Sequence, residues 1–228
     1  MKPGYDKVEQ SIGALGESVL HEITPNTEIK VWDLGVRTFH WSLVGLFFIA
    51  YLTGDDNWVH VYSGYGIIAL LIFRIFWGLV GPKYARFSNF LYGRAATKAY
   101  ARSLLSFHPT HYLGHNPLGG WMVALLLISL SLTTWTGLQA YGAKGHGPLA
   151  AQWDQAFIST AQADDDKHTK EGGEAHGNED DFWEDIHELL ANFTLFLVLI
   201  HIAGVLISSV LHRENLIRAM ITGYKKRD

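Results

Sequence analysis

Apolar residues gather in four blocks along the chain, and polar or charged stretches separate them. The last block, Phe182 to Leu211, sets the scale for the others. A hydrocarbon core of about 30 Å takes roughly 20 helical residues, and Ile186 to Leu211 supplies them with no charge after Glu188. The first block follows the interfacial residues Trp32 and Arg37 and is apolar from Phe39 to Leu52. The second is apolar from Val59 to Val80 except for Arg74 and is halted by Pro82, and the third, Leu118 to Leu138, has neither histidine nor charge. The pattern predicts membrane helices over residues 34–53, 59–81, 118–140 and 185–211. The expected fold is an all-α integral membrane four-helix bundle over residues 31–227, preceded by a polar tail over residues 1–30.

Charge between the blocks assigns the sides. The stretch from Pro82 to Pro117 holds five of the 18 Lys and Arg residues, namely Lys83, Arg86, Arg94, Lys98 and Arg102. The tail after the fourth block is basic too, with Arg213, Arg218, Lys225, Lys226 and Arg227. Positive charge is retained on the cytoplasmic side, so both termini and this basic stretch are expected there. Residues 142–184 are acidic and hydrophilic and are expected to form a periplasmic loop. The N-terminus lacks the pattern of a signal peptide, so the first span is expected to direct insertion into a bacterial inner membrane as a multi-pass protein.

Four histidines fall inside these spans, and the topology sorts them by depth. His187 and His201 are fourteen residues apart, which puts them within roughly 40° of one face and about 21 Å apart along the axis. His40 begins the first span on the inner side, at the depth of His201. His60 begins the second on the outer side, at the depth of His187. A lone intramembrane histidine is ordinarily a hydrogen-bonded interior residue. Two depth-matched pairs, His40 with His201 and His60 with His187, instead suit axial ligation of two stacked b-type haem irons. Arg74 lies fourteen residues after His60, at the inner depth, where its charge pairs with a haem propionate or snorkels to the inner headgroups. Gly64 and Gly204, near His60 and His201, either clear room for a flat macrocycle or serve helix packing.

Composition narrows the chemistry. With no cysteine among 228 residues, disulfides, iron–sulfur clusters and thioether-attached haem are excluded, so any haem is held noncovalently. Mean hydropathy is only +0.08 because the polar segments dilute the four blocks.

The segments VWDLGVRTFHW, HVYSGYG, FRIFWGLVGP, YLGHNPLGGWM, and HELLAN through HIAGVLISSVLHRENLIRAMITG resemble the bacterial cytochrome b561 family, which includes the b-type cytochrome subunits of nickel–iron hydrogenases. The likeness covers about residues 29–227. It implies four membrane helices, two haems b with bis-histidine ligation by the same pairs, and electron exchange with quinone. The hydrogenase subunits usually carry a further helix.

The leading expectation is transmembrane electron transfer between membrane quinone and a periplasmic redox carrier such as a cytochrome c. A second class is a superoxide oxidase-type quinone reductase, against which the acidic loop would repel an anion. A third is a divalent-metal transporter or sensor using His146, His168 and His176 among carboxylates. His108, His111 and His115 either border a quinone pocket or are plain interfacial residues. The acidic segment is either a solvated spacer or a docking surface. Membrane lipid is an expected partner and nucleic acid is not; a homodimer or larger redox complex is left open.

Overall fold

The computed structural model describes residues 28–54, 57–106, 112, 114–152, 174–212 and 214–226. Four helices are long and apolar enough to cross a membrane: α1 (Leu34–Thr53), α2 (Trp58–Val80), α4 (Pro117–Ala143) and the Asp181–Leu211 part of α5 (Glu174–Leu211). Their caps explain where they start. Asp33 accepts from Val36 N, Asn57 from Val59 N and Asn116 from Gly119 N, while Pro117 occupies the first helical turn without wasting a donor. Gly54, at φ 72°, ends α1 in the left-handed region and permits the tight α1–α2 hairpin.

The bundle is two hairpins, α1 with α2 and α4 with α5, joined through α2 against α4. At mid-depth Phe47, Ile67, Leu71 and Leu130 form a buried cluster, with Leu43, Leu46, Leu195 and Val198 packed around it. Outside it the helices expose large apolar side chains, including Leu52, Ile72, Phe76, Leu79, Leu199 and Val210. That inversion of a soluble protein's pattern is what a lipid solvent allows.

Three segments depart from the expected layout. The acidic stretch 142–184 is not loop throughout, because α4 runs to Ala143 and α5 begins at Glu174. Glu174, Glu179, Asp180, Asp181 and Glu184 all fall within the N-terminal part of α5. The basic stretch between α2 and α4 contains a 3₁₀ turn (Phe87–Asn89) and a surface helix, α3 (Arg94–Leu105). Finally, the end of the polar tail is ordered. Strand β1 (Glu28–Lys30) pairs antiparallel with β2 (Tyr224–Lys226), which follows α6 (Leu216–Thr222), so both ends of the bundle domain meet on one side. An even number of spans requires that meeting. A second buried cluster, Val31, Trp32, Val36, Ala85 and Ala219, seals this end.

Candidate functional site

The pairing at the level opposite the termini is direct. His60, in the first turn of α2, and His187, in α5, have ring centroids 5.9 Å apart at an interplanar angle of 86°. His60 Nδ1 lies 2.9 Å from Ala50 O of α1, and His187 Nδ1 lies 2.9 Å from Thr133 O of α4. A carbonyl only accepts, so each Nδ1 carries a proton, an arrangement that in a neutral ring leaves the lone pair on Nε2. Metal-binding imidazoles are oriented in this way by a hydrogen bond from the second nitrogen. Two imidazoles so oriented, facing each other from α2 and α5, are a donor set that would hold a haem iron.

The third span, empty of histidine and charge, is what aims His187. Its Ser-Leu-Thr-Thr-Trp-Thr-Gly run places the Thr136 hydroxyl 3.4 Å from Nδ1, alongside the Thr133 carbonyl. A Cβ on Gly137 would stand 2.8 Å from His187 Cε1, so only glycine admits the ring here. Deeper, Thr194 of α5 is fully buried and bonds Ser129 Oγ at 2.6 Å and Thr133 Oγ1 at 3.1 Å, locking α4 to α5 below the histidine. These hydroxyls were the missed signal: a polar run inside an apolar span marks what that span faces.

The pair lines a partly open cleft of about 130 Å³, smaller than the about 300–1,000 Å³ usual for cofactor sites. Its apolar wall includes Phe47, Ile68 and Leu130, and its mouth carries Tyr65, Tyr141 and the Lys144–Glu184 ion pair at 2.9 Å. Gly64 lines it, and a Cβ there would meet nothing within 4 Å. Gly204 likewise has open space around its missing Cβ.

The other pair lies toward the termini. His40 and His201 are close enough to interact electrostatically, and His40 Nδ1 is buried with no hydrogen-bond partner. An orphaned ring nitrogen on a buried face is costly unless something outside the protein completes it. Arg74 is 2% exposed, so it does not snorkel to the headgroups. Its Nη1 donates to Ala85 O at 3.1 Å, and the guanidinium lies 4.8 Å from the Phe87 ring centroid and 5.7 Å from that of Phe90. Such a cation suits an anionic group of the cofactor.

His115 is the residue underweighted by sequence. It is not a plain interfacial side chain: it is buried between Trp32 at 4.6 Å and Phe90 at 4.7 Å, and its Nδ1 lacks a partner. Burial, reinforced by Arg74, His201, Lys225 and His40, lowers its pKa to about 3 and keeps it neutral. His108, His111 and His168 lie outside the described residues, as does the side chain of His176. His146 stacks on Tyr141 at 5.4 Å, and no group of three or more metal-binding side chains converges among the described residues. The divalent-metal reading has no cluster there to rest on.

The sequence model of a family described as prokaryotic cytochrome b561 matches residues 31–223. A "Probable Ni/Fe-hydrogenase B-type cytochrome subunit" of Cupriavidus necator is 24% identical, over 86% of each chain. Proteins of the same description from Azotobacter chroococcum and Rhodobacter capsulatus are 24% and 22% identical, over 90% and 97% of this chain and 91% and 92% of theirs. No solved structure gives a significant match.

Proposed function

Because the chain belongs to the prokaryotic cytochrome b561 family of membrane b-type cytochromes, we propose that it holds two haems b and conducts electrons across the bacterial inner membrane, between membrane quinone and a redox carrier on the periplasmic face. The observation that carries this is the His60–His187 pair, with rings 5.9 Å apart and both Nδ1 atoms on backbone carbonyls. His40 and His201 supply the second ligand pair, fourteen residues along α5, which is about 21 Å. When bound, each haem contributes a one-electron iron couple with no open coordination position. The protein's part is orientation and exclusion: Ala50 and Thr133 carbonyls hold the rings, and the Phe47–Ile67–Leu71–Leu130 cluster keeps the space between the two levels dry. Arg74 neutralises a propionate of the inner haem in a site too buried to leave that charge alone.

Basic segments on the termini side support a cytoplasmic location for that side. The acidic residues between α4 and α5 then face the periplasm and favour a basic carrier such as a cytochrome c. The similarity to nickel–iron hydrogenase b-type cytochrome subunits favours a second reading of the partner, a nickel–iron hydrogenase delivering electrons at the same face. Native membranes whose Soret band is reduced under hydrogen would support it, and membranes reduced only through a cytochrome c would not. The count of haems is tested by a pyridine haemochrome assay on purified protein. Two per chain is expected, and one per chain contradicts the proposal.

A further inference from the structure

Outside both histidine sites, a groove runs between α3 and the start of α4, lined by Arg94, Thr97, Lys98, Ala101 and Trp121. Arg94 and Lys98 are one helical turn apart on the same exposed stripe. Among the described residues no carboxylate pairs with either cation. The far side of α3 is anchored, because Tyr100 is 2% exposed. Trp121 is fixed at the groove by its Nε1, which donates to Tyr92 O at 3.1 Å. Unpaired positive charge on an anchored helix thus stands at the end of a membrane span, at the depth where tryptophan marks the headgroup layer.

What lies below the groove narrows the ligand. From Trp121, α4 continues into the membrane with Leu125 43%, Ile128 58% and Leu132 49% exposed, at spacings of four, three and four residues. That is one straight apolar stripe leading down from the two cations. A soluble anion would use only the groove, and a zwitterionic lipid would bring its own cation against Arg94 and Lys98. We propose that the groove binds the phosphate of an anionic glycerophospholipid whose acyl chain lies along the Trp121–Leu125–Ile128–Leu132 stripe. The site ties α3 to α4 and is independent of the haem assignment.

The test is native mass spectrometry of the full chain as purified in detergent, titrated with phosphatidylglycerol or with phosphatidylcholine of the same chains. Wild type is expected to hold phosphatidylglycerol on the order of tenfold tighter, in line with two nearby basic residues. Arg94→Gln with Lys98→Gln should abolish that preference and leave phosphatidylcholine binding as it was. A charge-matched control, Lys30→Gln with Lys83→Gln, should keep the preference, and an unchanged far-UV circular dichroism spectrum reports that each variant is folded. Trp121→Ala should weaken both lipids alike. Equal affinity for the two lipids in wild type, a preference that survives the groove variant or falls equally in the control, or full displacement of the lipid by inorganic phosphate would each overturn the proposal.

Discussion

Two glycines separate what the protein needs from what the cofactor needs. Gly137 is closed by the protein itself, since an added methyl would meet His187 Cε1 at 2.8 Å. Gly137→Ala should displace the ring and lower outer-haem occupancy, seen as a loss of that redox step. Gly64 has open space in the polypeptide, so Gly64→Ala should leave helix content and thermal stability of the haem-free chain within about 0.5 kcal/mol. The same change should reduce outer-haem retention only where a macrocycle fills that space. Equal haem retention in Gly64→Ala and wild type would show that the macrocycle lies elsewhere. His115 makes a separate prediction. Its folded pKa of about 3 is below the ordinary 6.5, so the unfolded chain binds the extra proton between those values. Stability from keeping this ring neutral is therefore present above about pH 6.5 and drains away as pH falls toward about 3. Melting of the purified protein should steepen its acid dependence in that window, and His115→Asn should flatten it.

Among the elements, the best-predicted were those whose reason is local. The four apolar blocks each fall within a helix, with α1 at Leu34–Thr53 and α2 at Trp58–Val80, whereas α4 runs on to Ala143 and α5 starts as early as Glu174. The depth pairing of His60 with His187 was legible because helical rise converts sequence offset into distance. The β1–β2 ladder was not legible, since three-residue strands almost 200 positions apart leave no periodic trace. The role of α4 was hidden for another reason: it contributes backbone carbonyls and hydroxyls, which a search for charged or metal-binding residues passes over. The clasp formed by α6 and β2 carries its own test. Lys225 Nζ lies 2.8 Å from Glu214 and 3.4 Å from Tyr112 O, with the two side chains 6% and 13% exposed. Lys225→Ala takes this partner from a largely buried Glu214 and should cost about 1.5–3 kcal/mol, a loss typical of a hydrogen bond to a charged group. That corresponds to a fall in Tm of roughly 5 °C for a chain this size. Removing Glu214 as well should recover part of it.

At the scale of the whole molecule, one end is basic and clasped by β1, β2 and α6, and the acidic segment follows α4 at the other end of the proposed conductor. Eight carboxylates between Asp164 and Asp181 face only Lys167 and Lys170. If they gather a basic carrier, changing Asp164, Asp165, Asp166, Glu179, Asp180 and Asp181 to their amides should slow electron transfer at low salt. The difference should vanish as the Debye length falls from about 10 Å at 0.1 M to about 3 Å at 1 M. Rates indifferent to both charge and salt would make the segment a spacer. The central claim is that two separate histidine pairs hold two redox centres at two depths, and it is tested most directly by potentiometric titration of the Soret band in wild type, His187→Ala and His201→Ala. The account predicts two one-electron steps in wild type and one in each variant, with the surviving step at a different potential in the two. Both steps surviving in either variant, or the same step surviving in both, would contradict it.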